Sequence, residues 1–233
     1  MKVLTWNIMQ GGSQQRLAKI TDTLVTHDPD VLVLTEFWAG PKGDFIKQRL
    51  REAGWHDQYG SGAAPKENGL LIVSKRSLSL QATAIVPAER HRWLEVAVPG
   101  LRILAVHIPM GQPKPRFWAK VLERAQQLVA GPALIIGDLN TGLPVDAEGT
   151  PFECGDSFER LLTTGWHDAW RLKNGSHQEF SWYSNAKNKK GFRLDHALVS
   201  DPVRDHVSAC WYSHGERIAR YSDHSPLVVQ LDL

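Results

Sequence analysis

Polar residues of the kinds that bind metals and move protons follow nearly every apolar, strand-like run of this 233-residue chain. A lone aspartate or asparagine at a strand end is usually a turn former or a solvated side chain. A whole set is different, because strand ends are where an α/β scaffold presents its functional site. The set consists of Asn7, Glu36, His107, Asp138, Asn140, Asp195, Asp223 and His224. The sequence therefore predicts one site assembled from the whole length of the chain.

The oxygen-bearing members of this set predict a magnesium site. Mg²⁺ is held by one or two carboxylates, with water and substrate phosphate completing its ligands. Glu36 together with Asn7 or Asp223 provides such a partial shell. Zinc is not expected, because the chain has only two cysteines, Cys154 and Cys210, and no HExxH motif.

The remaining members predict the parts of a phosphodiester hydrolysis. Asp138 is the candidate base or orienting carboxylate for an attacking water, and the Asn140 amide can hold that water or a phosphate oxygen. His224 and His107 can stabilise the charge that develops on the phosphorane. An aspartate behind a histidine fixes its tautomer and raises its pKa, and we expect Asp195 in this role.

The composition bounds the class of protein that carries this site. The chain is 42% hydrophobic and 22% charged with a net charge of +2, which is typical of a soluble globular protein and permits a nucleic-acid partner without requiring one. The N-terminus lacks the apolar run of a secretory leader, and no stretch approaches the roughly 20 apolar residues of a membrane span. We therefore expect a cytoplasmic protein with a single domain over residues 1–233.

The elements that must position the site alternate between short β-branched runs and longer segments of helical period, which indicates a mixed α/β fold. Strands are predicted at KVLTWNI, DVLVLTEF, GLLIVS, LEVAV, RILAVHI, ALIIGD, FRLDHALVS and PLVVQL. Helices are predicted from an N-cap at Ser13 to Pro29, from Asp44 to Gly54, from Pro115 to Gly131, and from Asp156 to Gly165. In the last of these, Asp156 and Glu159 have the spacing of a capping box.

Five motifs, TWNI, LTE, GDLN, RLDHALVS and SDHSPL, resemble those of the endonuclease/exonuclease/phosphatase superfamily in order and approximate spacing. The match spans positions 3 to 232, and the superfamily is the magnesium-dependent group that includes DNase I-like enzymes. The resemblance implies a four-layer α/β sandwich, with two central β-sheets flanked by helices and the site at one rim. It also implies Mg²⁺, with Mn²⁺ as a substitute. Glu36 falls on the principal metal ligand, Asn7 on the asparagine beside that metal, and Asp223 on an acid sometimes assigned to a second metal.

The same resemblance implies roles for the catalytic candidates. Asp138 and Asn140 fall on the water-activating aspartate and its companion asparagine, and Asp195 and His224 fall on an Asp–His pair. Whether the residue at Asp138 or that at His224 takes the proton of the water stays open.

The stretch GWHDAWRLKNGSHQEFSWYSNAKNKKGFRLDHALVS resembles the exonuclease III and apurinic-endonuclease branch, in which a D-x-(F/W)-R segment leads to SW, a basic loop and an R-(L/I)-D strand. The resemblance implies phosphate-facing charge from Lys187, Lys189, Lys190 and Arg193. Trp182 and Phe192 are expected to contact a base or fill an abasic gap. Arg116, at the start of the third predicted helix, is a further candidate for a phosphate contact.

One position departs from that branch. His107 stands in VHIPMG where the branch usually has a tyrosine, and histidine is typical of DNase I-like and phosphatase-like members.

Three hypotheses follow. The first is a magnesium-dependent DNA nuclease that cuts at abasic sites, at 3′ ends or less specifically, working as a monomer without a protein partner. The second is a phosphatase or phosphodiesterase acting on a small molecule or lipid headgroup. The third is an inactive nucleic-acid-binding module, which the complete catalytic set argues against.

Overall fold

Fourteen strands and seven α-helices alternate along residues 1–233, all of which the computed structural model describes. The strands are β1 (Lys2–Asn7), β2 (Val31–Phe37), β3 (Asp57–Gly60), β4 (Gly69–Ser74), β5 (Ser79–Leu80), β6 (Trp93–Val98), β7 (Leu101–His107), β8 (Ala133–Asp138), β9 (Trp166–Asp168), β10 (Trp182–Tyr183), β11 (Gly191–Phe192), β12 (Asp195–Ser200), β13 (Val207–Tyr212) and β14 (Leu227–Leu231). The helices are α1 (Gln14–His27), α2 (Pro41–Glu52), α3 (Lys114–Leu128), α4 (Gly155–Leu162), α5 (Ala169–Asn174), α6 (Asp201–Arg204) and α7 (Gly215–Ile218).

The strands form two six-stranded sheets and one short hairpin. The first sheet has the order β13-β14-β1-β2-β4-β3, the second has the order β5-β6-β7-β8-β12-β9, and β10 pairs with β11. Each large sheet has one parallel pair, β1 with β2 and β7 with β8, and its other pairs are antiparallel. Each parallel pair is joined by a long helix, as a crossover connection requires.

The core lies in three layers of apolar side chains because each sheet is buried on both faces. Val3 and Val33 belong to the layer between the two sheets, whereas their neighbours Leu4 and Leu34 pack with helices α1 and α2. On the second sheet, alternate residues such as Leu104 pack with α3 and α4. This alternation follows from the two-residue period of a strand. The expected architecture of two central sheets flanked by helices is therefore confirmed.

Two predicted helix starts differ from the structure. Helix α1 begins as predicted after Ser13, whose hydroxyl accepts a hydrogen bond from the backbone nitrogen of Arg16 at 3.3 Å. Helix α2 begins at Pro41 rather than at Asp44, because proline is well suited to the first helical position. Helix α3 begins at Lys114, one residue before its predicted start.

The predicted capping box of the fourth helix is wrong. Cys154, in a left-handed conformation, precedes helix α4, and no side chain caps it. Asp156 lies within the first helical turn, where it is suited to the helix dipole instead. The predicted strand FRLDHALVS is also divided: Phe192 belongs to the hairpin, and β12 starts at Asp195.

No helix has the length and apolar character needed to cross a membrane. The assignment of residues 1–233 to a single domain stays a prediction.

Candidate active site

Three neighbouring strands of the second sheet meet at one rim, where β7 and β8 end and the antiparallel strand β12 begins. His107 of β7 lies in register with Asp138 of β8, and Asp138 lies in register with Asp195 of β12. All three side chains are buried. Gly137 is needed here, because its φ is +139° and a Cβ would lie 2.0 Å from the carbonyl oxygen of Val106. The close approach of β8 to β7 holds Asp138 beside His107.

The first sheet contributes Asn7, at the end of β1, and Glu36, near the end of β2. The pairing of β2 with β4 is irregular between Thr35 and Phe37, and Glu36 between them has a φ of +52°. A left-handed conformation costs about 1–2 kcal/mol for a non-glycine residue, so the surrounding structure must stabilise it. The consequence is that the Glu36 carboxylate reaches the same cavity as Asp138.

The loop before β14 brings His224 to the site. The Ser222 hydroxyl donates to the backbone carbonyl of Asn7 and accepts from the backbone nitrogen of His224 at 3.2 Å. The indole nitrogen of Trp6 donates to the carbonyl oxygen of His224 at 2.9 Å. These buried contacts fix the C-terminal SDH triplet against strand β1, more than 200 residues away in the chain.

His224 and Asp195 form a buried hydrogen-bonded pair. His224 Nδ1 donates to Asp195 Oδ2 at 2.8 Å, and His224 Nε2 lies 3.9 Å from Asp138 Oδ2. Burial acts to lower the pKa of His224, but the Asp195 carboxylate more than compensates and raises that pKa to about 10. The ring is therefore an imidazolium at neutral pH, with Nε2 directed toward Asp138.

Asp138 lies at the centre of the site. Its Oδ2 accepts from the Asn7 amide at 3.0 Å, and its Oδ1 accepts from the backbone nitrogen of Asn140 at 3.0 Å. Burial raises the pKa of Asp138 to about 7; His224 opposes this rise, and Asp195 reinforces it. A carboxylate with this pKa can exchange a proton near neutral pH, as a general base requires.

His107 faces two carboxylates and one cation. Its Nε2 lies 3.9 Å from Glu36 Oε1 and 3.8 Å from Asp138 Oδ2. Its Nδ1 lies 2.9 Å from Arg92 Nη1, which donates to it. Burial and the Arg92 guanidinium hold the pKa of His107 well below its ordinary range. His107 is therefore a neutral imidazole.

Glu36 and Asp223 are the two cavity carboxylates that could hold a divalent cation. Burial raises the pKa of Glu36, and the Asp223 carboxylate reinforces the rise, whereas a hydrogen bond from Asn7 opposes it. The Gln10 amide also donates to the Glu36 carboxylate. Two nearby acids whose repulsion a cation would remove, with amide oxygens beside them, fit Mg²⁺ or Mn²⁺.

A second group with possible metal ligands consists of Asp138, Asp195 and His224, whose ligand atoms lie within 4.8 Å of one another. In this group His224 Nδ1 already donates its proton to Asp195. The group therefore fits a chain of proton-transfer residues better than a closed metal site.

Asn140 also lies at the cavity, in a left-handed conformation with a φ of +49°. Its side-chain nitrogen donates to the carbonyl oxygen of Ile108 at 2.8 Å, and its own carbonyl accepts from Lys114 Nζ at 2.6 Å. These contacts hold the GDLN turn against the loop after β7. One amide hydrogen and the amide oxygen of Asn140 are left for a water or a phosphate.

A cavity of about 900 Å³ opens next to these polar groups. The predicted aromatic residues Trp182 and Phe192 line it, with ring centroids 5.8 Å apart, and Phe152 stands 5.9 Å beyond Phe192. The indole nitrogen of Trp182 donates to Asp223 Oδ2 at 3.0 Å. The structure thus brings both predicted aromatic residues to the catalytic candidates.

The prediction that Arg193 faces substrate phosphate is wrong. Its side chain is fully buried, with Nε 2.8 Å from Asp146 Oδ1 and Nη2 2.6 Å from Asp168 Oδ2. The RLD motif locates Arg193 in the chain, but it does not reveal the direction of the Arg193 side chain, because consecutive strand residues point to opposite faces.

The other predicted phosphate-binding residues, Lys187, Lys189, Lys190 and Arg116, are at the surface. Lys187 is exposed in the loop between β10 and β11. Arg116 donates to Glu89 Oε1 at 2.6 Å while its side chain stays 63% exposed. Their roles stay predictions.

Arg92, Lys114 and Phe152 are among the cavity residues that were not identified from the sequence. Arg92 directly precedes β6. Our rule considered only polar residues at the ends of strands, and a rule that also considered residues at strand starts would have included Arg92. Nothing in the sequence around Lys114 or Phe152 distinguishes them from a helix start and a surface loop.

Comparisons with known proteins identify the family and the fold. The profile of the Endonuclease/Exonuclease/phosphatase family matches residues 4–224. Three solved structures superpose over the full length of both chains: an AP endonuclease from Archaeoglobus fulgidus at 20% identity with a TM-score of 0.85, a 3′-5′ exonuclease, NExo, from Neisseria meningitidis at 22% with 0.86, and a Neisseria 3′ phosphatase NExo bound to product DNA hairpin at 23% with 0.85. The fold is that of the DNase I-like proteins.

Proposed function

The chain belongs to the endonuclease/exonuclease/phosphatase family of hydrolases, and on this premise we propose that it is a divalent-metal-dependent phosphodiesterase that acts on DNA. One observation carries the proposal: Glu36, Asp138 and His224, which come from distant parts of the chain, border one cavity, and Asp195 is hydrogen-bonded to His224 behind it. A protein that only binds nucleic acid has no use for an acid with a raised pKa beside a histidine.

Glu36, Asn7 and Asp223 are the residues that would hold the cation. When bound, Mg²⁺ or Mn²⁺ supplies a positive charge that polarises the phosphate and neutralises the charge developing on its oxygens. The protein's part is to hold both carboxylates at the cavity: the left-handed backbone positions Glu36, and Trp182 donates a hydrogen bond to Asp223.

The chemical step is assigned to the residues around Asp138. The Asp138 carboxylate accepts a proton from water as the water oxygen forms its bond to phosphorus, and the bond from phosphorus to the leaving oxygen breaks with its electron pair. His224 Nε2, held in place by Asp195, donates a hydrogen bond to the phosphate oxygens that gain charge. Asn7 orients Asp138 through its amide.

DNA is proposed as the substrate for three reasons. The similar structures are DNA-acting enzymes by description, and one of them contains a DNA hairpin product. The cavity also has aromatic walls, Trp182 and Phe192, of the kind against which bases or sugars pack. Exposed lysines in the adjacent loop, Lys187, Lys189 and Lys190, add positive charge suited to a phosphate backbone.

A second candidate function is removal of a terminal phosphate. His107, in place of the tyrosine expected for the apurinic branch, contacts Arg92 and faces the same cavity. A neutral imidazole backed by a cation is suited to a phosphate group with additional charge.

The test is a substrate panel with Mg²⁺, with Mn²⁺ and with excess EDTA. It contains duplex DNA, duplex with an abasic site, duplex with a 3′-phosphate, single-stranded DNA, RNA and a soluble phosphomonoester. We expect cleavage of at least one DNA substrate that EDTA abolishes. Turnover of only the soluble phosphomonoester would contradict the proposal.

The variant Glu36→Gln tests the assigned metal ligand. We expect its activity to fall by a factor of about 10³ or more with the fold unchanged, because few protein ligands hold the cation. Glu52→Gln is the matched control, since Glu52 is exposed on helix α2. Equal activity of the two variants would contradict the assignment. Binding of Mn²⁺, followed by electron paramagnetic resonance, provides a second readout.

A further inference from the structure

Arg92 is placed in the cavity by the register of the second sheet. It is the last residue of a 3₁₀ turn, Arg90–Arg92, that leads directly into β6. Trp93 of β6 pairs with Val106 of β7, so the next step of the antiparallel register places Arg92 beside His107. The position is set by pairing between strands and not by the local sequence.

The turn that carries Arg92 is tied to the first sheet. The hydroxyl of Ser61 donates to the backbone carbonyl of His91 at 2.6 Å. His91 Nδ1 lies 3.0 Å from Glu67 Oε1. With the backbone held on one side and β6 on the other, the Arg92 side chain has a defined direction into the cavity.

The Arg92 guanidinium has donors left for a ligand. A guanidinium carries five N–H donors and no acceptor, and the hydrogen-bond partner of this side chain is His107, through Nη1 at 2.9 Å from Nδ1 and 3.2 Å from Nε2. Burial lowers the pKa of Arg92 from its ordinary value, and the nearby Glu36 and Asp138 carboxylates oppose this, but a guanidinium is not deprotonated in proteins. The group therefore stays positively charged beside the assigned metal ligand and the assigned base.

Other buried cations near the site are already engaged. Lys114 Nζ donates to the Asn140 carbonyl at 2.6 Å, and Arg193 is held by Asp146 and Asp168. Of the arginine and lysine side chains that line the cavity, Arg92 is consequently the one best able to contact a substrate, in addition to His224.

We propose that Arg92 is a catalytic residue that binds the non-bridging oxygens of the substrate phosphate, and that it favours a terminal phosphomonoester over a phosphodiester. The inference rests on the proposed function and goes beyond it by assigning specificity. A terminal phosphate carries close to two negative charges at neutral pH and a diester carries one, so a fixed cation gains more from the monoester. Its planar donors also match two phosphate oxygens at once.

The experiment compares kcat/KM on two duplexes that differ only at a nick, one with a 3′-phosphate and one with an ordinary 3′-terminal nucleotide. On the diester substrate, Arg92→Ala should lower kcat/KM about 100-fold, which is the scale of losing one charge-stabilising donor. On the 3′-phosphate substrate, the loss should be roughly 10 times larger than on the diester. Arg92→Lys, which keeps the charge but not the paired donors, should recover part of both activities. Added guanidinium ion should partly restore Arg92→Ala and leave the wild type unchanged.

Arg90→Ala is the matched control, because Arg90 lies in the same turn but is exposed and does not line the cavity. It should stay within about two-fold of the wild type on both substrates. Equal losses for the two substrates in Arg92→Ala would overturn the specificity claim. An Arg92→Ala variant as active as Arg90→Ala, or one that guanidinium does not restore although its thermal unfolding is unchanged, would overturn the catalytic claim.

Binding separates this inference from the proposed function. Fluorescence anisotropy with a 3′-phosphorylated oligonucleotide in Ca²⁺ should show weaker binding for Arg92→Ala than for Arg90→Ala. If the wild type cleaves no DNA but hydrolyses a soluble phosphomonoester in an Arg92-dependent way, the DNA substrate is wrong and the role of Arg92 stands. Equal dissociation constants for the two variants would refute the role of Arg92 whatever the substrate.

Discussion

Two buried clusters of charge meet at strand β12, and they differ in whether their charges are balanced. Asp195 of β12 belongs to the candidate active site. The next residue, His196, points to the opposite face of the strand, where its Nδ1 lies 3.4 Å from Asp168 Oδ2. The second group, which we call the structural cluster, consists of Asp146, Asp168, Arg171 and Arg193. Consecutive strand residues point to opposite faces, so one strand serves both groups.

In the structural cluster every buried acid has an arginine partner. Although burial raises the pKa of Asp146 and of Asp168, Arg193 and its neighbours hold both pKa values below their ordinary range. The pKa of Arg193 is correspondingly raised well above its ordinary value. Two acids and two arginines balance in charge, which is the condition under which buried ions are tolerated.

The candidate active site instead keeps an excess of acid. The pKa values of Glu36 and Asp138 are both raised, and Asp195 has a buried oxygen, Oδ1, with no hydrogen-bond partner. Such a site is costly for the folded protein and suited to binding a cation and exchanging a proton. Burial alone does not distinguish the two clusters, because both contain buried acids. The direction of the pKa shift of those acids does: it is upward in the candidate active site and downward in the structural cluster.

The largest effect is expected from breaking the active-site cluster. Asp138→Asn and His224→Ala should each lower kcat by a factor of about 10³ to 10⁵, and the double variant should lose little more, because the two residues act on one water and one phosphate. Steady-state kinetics on the best DNA substrate measures this. Losses that multiply in the double variant would mean that the residues act independently.

Breaking the structural cluster should affect stability first. Arg193→Met leaves Asp146 and Asp168 buried without their shared partner, so the free energy of unfolding should fall by about 3–5 kcal/mol. Urea denaturation measures the change, and Arg204→Met, at an exposed position on α6, is the control. A loss below 1 kcal/mol would show that the cluster contributes little to stability.

The two clusters should respond to pH in opposite directions. Because the folded-state pKa of Asp138 is raised to about 7, its contribution to stability is complete below pH 4 and is lost as the pH rises through 7. In EDTA, the free energy of unfolding of Asp138→Asn, measured relative to that of the wild type, should therefore rise by roughly 1–3 kcal/mol between pH 4.5 and pH 8. Urea denaturation at both pH values measures this gain, and a constant difference would contradict the raised pKa.

Asp168 provides the complementary measurement. Its folded-state pKa is lowered, so its contribution is present above the unfolded-state pKa near 3.8 and is lost as the pH falls. Asp168→Asn should be less stable than the wild type at pH 7, and the difference should narrow toward pH 3. A difference that widens in acid would show that Asp168 is not held by Arg193 as the structure indicates.

The smallest effect is expected from exposed charge outside both clusters. Replacing Lys187, Lys189 and Lys190 with alanine should weaken DNA binding several-fold and reduce the salt slope by up to about 0.9 per lost phosphate contact, with kcat nearly unchanged. The salt dependence of kcat/KM on duplex DNA measures it. An unchanged slope would remove the loop from the DNA-binding surface.

Several strands that carry the candidate site could be predicted from the sequence. Apolar runs ending in Asn7, His107 and Asp138 were recognisable because the period of a strand and the polarity of its last residue are local properties, whereas Asp195 begins β12. The starts of helices were predicted less well. Helix α2, for example, was predicted to begin at Asp44 but begins at Pro41.

Which charged side chains line the cavity could not be predicted from the sequence, because it depends on the tertiary structure. The sequence assigned Arg193 to phosphate and passed over Arg92, whereas the fold buries Arg193 between Asp146 and Asp168 and directs Arg92 into the cavity. Both outcomes depend on partners far away in the chain, brought near by strand register and by the packing of two sheets. The sign of a pKa shift depends on those same distant partners, which is why a local pattern can locate a charged residue without revealing what it does.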